Sequence, residues 1–210
     1  MPHIVLLGDS TFDNKVYVPN GSDVLSHLMG CLGSEWDASL QAVDGDKVEH
    51  VHQQLDDLPN DATHLVLSVG GNNALSHTDI LFNRTESVLE VLSEMAKVAE
   101  RFVESYGTLV CTLKDLNKSI TVCTIYHPPL SDTTMQQLAL TALPIFNDAI
   151  LKIAFAEGLP VIDLRLVCTE ASDFVNQIEP SESGGAKIAA AVARAVGAEP
   201  SSPVSSVFAA

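Results

Sequence analysis

Basic residues are scarce in this chain of 210: 11 Lys and Arg stand against 27 Asp and Glu, a formal net charge of −16. Such a surface repels nucleic-acid phosphates and anionic membranes, which argues against both as partners. Aromatics are also few, at 5%, yet 46% of the residues are hydrophobic. That balance excludes a disordered chain and supplies a sizeable core. No apolar run approaches the ~20 residues that span a bilayer, and the N-terminus lacks the basic stretch and long apolar segment of an export signal. A cytoplasmic protein that does not insert into membranes is the expectation. The four cysteines, Cys31, Cys111, Cys123 and Cys168, form no C-x-x-C pair and have no histidine at zinc-like spacing. Neither a disulfide nor a metal site is expected. Cys111 and Cys123, set among apolar neighbours, read as small core residues.

What is present is alternation. Strand-like runs fall at 3–7, around 39–43, at 64–69, 119–125 and 159–163, with helical patterns at 21–32, 46–57, 84–116, 134–157 and 184–197. This order predicts an α/β fold, a three-layer α/β/α sandwich around a central parallel sheet of about five strands. Along 84–116, Val88, Leu92, Met95, Ala99, Phe102 and Val103 recur at three-to-four-residue spacing, the mark of a core-facing stripe. Pro144 is expected to kink or interrupt the pattern over 134–157. Length and the absence of an internal repeat indicate one domain over 1–197. Residues 198–210, with Pro200, Pro203 and four serines, read as a flexible tail.

In an open parallel sheet, ligands bind outside the carboxyl ends of the strands. Ile4-Val5-Leu6-Leu7 ends in Gly8-Asp9-Ser10, which places Ser10 at such an end. Asp44-Gly45-Asp46 follows the second run, Gly70-Gly71-Asn72-Asn73 the third, and His127 the fourth. Near the C-terminus Asn176-Gln177-Ile178-Glu179-Pro180-Ser181 precedes a helix that carries Gly184 and Gly185. Taken singly, each group could be a turn or cap residue.

Together these blocks resemble the SGNH (GDSL) hydrolase family, from Ile4 to about Val196. Gly8-Asp9-Ser10 is similar to the family's first block, Gly45 to the glycine of the second, and Gly70-Gly71-Asn72-Asn73 to the third, usually G-x-N-D. No G-x-S-x-G occurs, so the nucleophile elbow of the α/β-hydrolases is not the alternative. The resemblance implies a serine esterase without a cofactor, acting on a small-molecule carboxylic ester with a short or uncharged acyl group through an acyl-Ser10 intermediate. It also implies an oxyanion hole made by the backbone N–H groups of Ser10 and Gly45 and the amide of Asn72. Donors aimed at the developing oxyanion suit acyl transfer.

The chain departs from the family where a D-x-x-H normally supplies the base. Glu179 stands in the histidine's place and Asn176 in the aspartate's. Three readings follow. Glu179 is the general base, oriented by Asn176 and raised toward neutrality by burial; or His127 supplies an imidazole; or the site has become a non-hydrolytic ligand-binding site. Asp13, Asn14 and Asn73 are candidate pocket residues, Asn73 in place of the family's acidic residue. His50, His52 and His77 read as surface residues and His3 and His64 as packed ones. Asp163 and Arg165 read as an ion pair or cap. A weaker reading makes Ser10 to Asn14 a phosphate loop of flavodoxin-like type. Asp9 and Asp13 oppose it, since no Lys or Arg lies within the loop.

Overall fold

The computed structural model describes residues 1–83 and 87–199. The expected tail at 198–210 therefore falls outside the described residues from 200 onward. Five strands, β1 (His3–Gly8), β2 (Asp37–Leu40), β3 (His64–Ser68), β4 (Ser119–Cys123) and β5 (Val161–Ile162), form one sheet. All pairs are parallel and the order is β2-β1-β3-β4-β5. The chain leaves β1 for β2 on one side and returns to β3 on the other. The crevice at that switch point opens between the ends of β1 and β3.

Side-chain parity builds the two outer layers. Val5, Leu7, Leu65, Leu67, Ile120 and Val122 pack toward α4 (Val88–Asp115) and α5 (Thr133–Ala156). Ile4, Leu6, Val66 and Cys123 face the opposite way, toward α1 (Val24–Cys31) and α7 (Glu182–Ala195). Every residue of β1 is buried, which explains its unbroken apolar character. The shorter helices are α2 (Val51–Gln54), α3 (Gly71–Leu75) and α6 (Leu164–Val167). A small antiparallel hairpin, β6 (Phe174–Val175) and β7 (Glu179–Pro180), precedes α7.

Several local expectations need correction. The stretch expected as a helix over 46–57 is a 3-10 turn at Val48–His50 followed by the single turn of α2. The buried stripe of α4 is Val98, Phe102, Tyr106, Leu109, Val110 and Leu113, while Val88, Leu92 and Val103 are exposed. α5 continues through Pro144. The missing N–H there removes only the bond that the Leu140 carbonyl would accept. By length and mean hydropathy (1.6), α5 could span a bilayer, contrary to the reading that no segment has that character. In this fold its Phe146, Ala149, Ile150 and Ala154 are buried, and Phe146 packs edge-on against Phe102 of α4 at 4.9 Å. All four cysteines are free thiols, and Cys111 is exposed rather than a core residue.

Candidate active site

Gly8 ends β1 with φ of 129°, and a Cβ there would lie 1.8 Å from the Ser68 carbonyl oxygen. Only glycine fits so close a crossing with that backbone. The turn that follows is held by Asp9, whose N–H donates to the Ser68 carbonyl at 3.1 Å. Its carboxyl accepts from the Thr11 N–H at 3.0 Å and lies near the Gly70 N–H. Asp9 is buried, and burial pushes its carboxyl up to about 7; the nearby Glu179 charge adds to this, while the Thr11 bonds and the nearby Gly70 N–H oppose it. Asp9 therefore ties the end of β1 to the end of β3 through its N–H, with its carboxyl packed at the same junction. Between them sits Ser10, 7% exposed, whose N–H has no intramolecular acceptor among the described residues.

Gln54 braces the same turn, and nothing in the sequence pattern singled it out. Its side-chain oxygen accepts from the Gly8 N–H at 2.9 Å, and its Nε2 donates to the Gly8 carbonyl at 2.7 Å and to Asp46 Oδ2 at 2.8 Å. The Asp46 carbonyl in turn accepts from Asn72 Nδ2 at 2.9 Å. The loops after β1, β2 and β3 are thus joined through one chain of bonds. Asn72 keeps a second N–H and lines a cavity together with Ser10 and Glu179. Gly45 lies on the exposed turn beside this group rather than in the cavity wall, and its N–H is free among the described residues.

Glu179 arrives on the β6–β7 hairpin. The hairpin is fixed to the start of α7: Ser181 and Ser183 hydroxyls donate to the Ser172 carbonyl at 2.7 and 2.9 Å, and the Ser181 N–H donates to the Asp173 carbonyl at 2.9 Å. A Cβ on Gly184 would lie 2.1 Å from the Asp173 carbonyl oxygen, so close packing here requires glycine. Burial raises the Glu179 carboxyl above its ordinary range; the neighbouring Ser10 hydroxyl opposes this as a hydrogen-bonding partner, and Asp44 adds a smaller upward push. Glu179 Oε2 is buried with no partner at ordinary bonding distance. The hydroxyl and the carboxylate are adjacent but not closed on each other, a looseness that substrate binding commonly removes.

Other candidate residues stand elsewhere. Asn176 is exposed, and its side chain accepts from the Glu179 backbone N–H at 3.3 Å rather than orienting the carboxylate. His127 is outside the cavity wall; the charges it feels are Arg165 and Asp163, not Glu179, and burial holds its imidazole below the usual value. Asn14, expected in the pocket, is fully buried as a strut: its Nδ2 donates to the Pro180 carbonyl at 3.1 Å and its oxygen accepts from the Val24 N–H at 3.0 Å. Asn73 likewise accepts from the Val48 N–H at 3.1 Å, and Asp13 from the Asp44 N–H at 2.9 Å. None of the three lines the cavity. Asp163 and Arg165 form a two-pronged ion pair, at 2.7 and 2.6 Å. His77, read as a surface residue, lines the cavity instead. Among the described residues no three His, Cys, Asp or Glu side chains converge as metal ligands.

The cavity measures 220 Å³. Asp9, Ser10, Thr11, Ser68, Asn72 and Glu179 form its polar end, and apolar residues from α3, α4 and α5 form most of the rest. Tyr126 also lines it, buried, with its ring edge-on against Phe174 of the hairpin at 5.1 Å.

No protein-family model matches the chain, and no curated protein does. Solved structures do. The acetyl xylan esterase AlAXEase superposes with a TM-score of 0.67 at 17% identity, covering 92% of this chain and 99% of its own. An acetylxylan esterase from Geobacillus stearothermophilus gives 0.65 at 15%, covering 93% and 94%. An extracellular lipase from Streptomyces rimosus gives 0.66 at 16%, covering 93% and 100%. Likeness at these identities shows a common α/β fold, extending over nearly the whole of this chain.

Proposed function

We propose that this protein is a carboxylic ester hydrolase of SGNH type in which Ser10 is the nucleophile and Glu179 its general base. The observation that carries the reading is the juxtaposition of the Ser10 hydroxyl and the half-buried Glu179 carboxylate, whose Oε2 is buried, in the wall of a cavity that Asn72 also lines. The fold's neighbours include two acetyl xylan esterases and a lipase, which supports ester chemistry.

In the first half-reaction Ser10 Oγ attacks the ester carbonyl carbon while Glu179 takes the hydroxyl proton. The negative charge that develops on the carbonyl oxygen is met by the free N–H of Ser10 and the second N–H of Asn72, whereas Gly45, which the resemblance put in this role, stands outside the cavity wall. Collapse of the tetrahedral intermediate breaks the bond to the alcohol, which leaves with the proton from Glu179. A water then gives its proton to Glu179 and attacks the acyl-Ser10 carbonyl, releasing the acid and restoring the hydroxyl. A carboxylate at its ordinary value is a weak base for this work, and burial moves Glu179 in the useful direction.

The test is hydrolysis of p-nitrophenyl esters by wild type, Ser10→Ala and Glu179→Gln. Ser10→Ala abolishes turnover and Glu179→Gln lowers kcat by ~10²–10⁴. The wild-type kcat/KM falls as pH drops through the raised Glu179 value, because only the ionised carboxylate accepts a proton. Equal rates in wild type and Ser10→Ala refute the reading. No turnover on any ester, together with saturable ligand binding, assigns a binding protein instead.

A further inference from the structure

Apart from the polar group around Ser10 and the side chains of His77 and Thr78, the lining of the cavity is apolar. α5 contributes more lining residues than any other element, Met135, Ala139, Ala142, Leu143, Ile145 and Phe146 at helical spacing, and α4 adds Met95 and Val98. That lining accounts for an oddity of α5: a mean hydropathy of 1.6 in a window of which only 33% is buried inside the protein. A helix this apolar is over-supplied for its own packing, and the surplus faces a cavity. Apolar concave surface beside a reactive polar group is the signature of a site for an apolar substrate portion.

Resting on the Ser10–Glu179 reading, we propose that the cavity holds an unbranched acyl chain of about six to eight carbons, so that the substrates are medium-chain acyl esters of uncharged alcohols. The volume sets the length: 220 Å³, at the ~30 Å³ one water occupies in the liquid, corresponds to about seven heavy atoms. The order of events sets the orientation. The alcohol must leave before water attacks the acyl-enzyme, so it belongs on the open side, by the exposed turn at Asp44 and Gly45. The acyl chain stays through both half-reactions and takes the closed, apolar end. The open side is acidic, with Asp13, Asp44 and Asp46 on neighbouring loops, and this disfavours phosphate-bearing leaving groups.

The experiment measures kcat/KM on p-nitrophenyl esters from acetate to dodecanoate, for wild type, Ala142→Phe and Ala139→Phe, the second variant serving if the first does not fold. Binding of methyl octanoate and methyl acetate to Ser10→Ala is measured by calorimetry. Each methylene that fills the cavity is worth ~4-fold. The expected result is a maximum at six to eight carbons, ~100-fold or more above acetate. The phenylalanine variants lower the octanoate-to-acetate ratio at least ~10-fold, and Ser10→Ala binds methyl octanoate in preference to methyl acetate. A rate highest on acetate, or a ratio untouched by either phenylalanine, overturns the proposal. Preferential octanoate binding without turnover of any ester supports the chain site and overturns the catalytic reading. Absence of that preference overturns the chain site whatever the turnover.

Discussion

Replacing Asp9 by asparagine probes the buried carboxyl packed where the ends of β1 and β3 meet. Its value in the folded protein is about 7, against an ordinary 3.8. As pH rises through 3.8 the unfolded chain releases this proton while the folded chain keeps it, so stability falls with pH until the folded carboxyl also ionises near 7. At ~1.4 kcal/mol per pH unit the loss across that window is about 4 kcal/mol. Asparagine does not titrate, so Asp9→Asn removes this slope. It still accepts from the Thr11 N–H, but its amide can oppose the Gly70 N–H, a constant cost of ~1–3 kcal/mol. The constant cost cancels when the two proteins are compared at two pH values. Urea unfolding at about pH 4 and about pH 9 is expected to show the variant gaining about 4 kcal/mol relative to wild type over that range. Parallel pH profiles for the two proteins would refute the reasoning.

Gln54→Ala leaves the Gly8 N–H without its partner and loosens Asp46, while the Gly8 carbonyl keeps only the Val43 N–H, so denaturant titration should show a loss of ~1–3 kcal/mol. Gly184→Ala pushes a methyl group into the Asp173 carbonyl and displaces the hairpin that carries Glu179. Its kcat is expected to fall by more than ~10-fold at temperatures where circular dichroism shows it folded, and an unchanged kcat would mean that the hairpin position does not govern Glu179. Asn72→Ala should lower kcat on any accepted ester by ~10²–10³, with little change in KM. A change confined to KM would place Asn72 in ground-state binding instead.

The sheet was legible because its central strands are buried on both faces. Ile4–Leu7 and Leu65–Leu67 are continuous apolar runs, and a glycine turn follows each, at Gly8 and Gly70. β2 is read about two residues late because it is short and only half-buried; the apolar Ala42 and Val43 lie past its last ladder pair. α4 misleads for a different reason. Its first turns extend beyond the sheet and expose Val88 and Leu92, so the apolar period continues where no core lies beneath it. Glu179 could be found from its spacing to Pro180, Gly184 and Gly185, since the close contact at Gly184 ties that spacing to geometry. The roles of Asn14, Asn73 and Gln54 could not be found this way. Each is a polar side chain whose partners lie 8 to 166 residues away, and nothing in its own neighbourhood distinguishes a strut from a ligand. The apolar cavity was equally hidden, because it exists only where α3, α4 and α5 converge.

The central claim is that a covalent acyl group passes through Ser10. Wild-type protein acid-quenched within the first turnovers of p-nitrophenyl octanoate, then digested and analysed by mass spectrometry, tests it directly. The account predicts an octanoyl mass on the peptide containing Ser10 and none on Ser10→Ala. Steady turnover with unmodified Ser10, or the acyl group on a different residue, would contradict it.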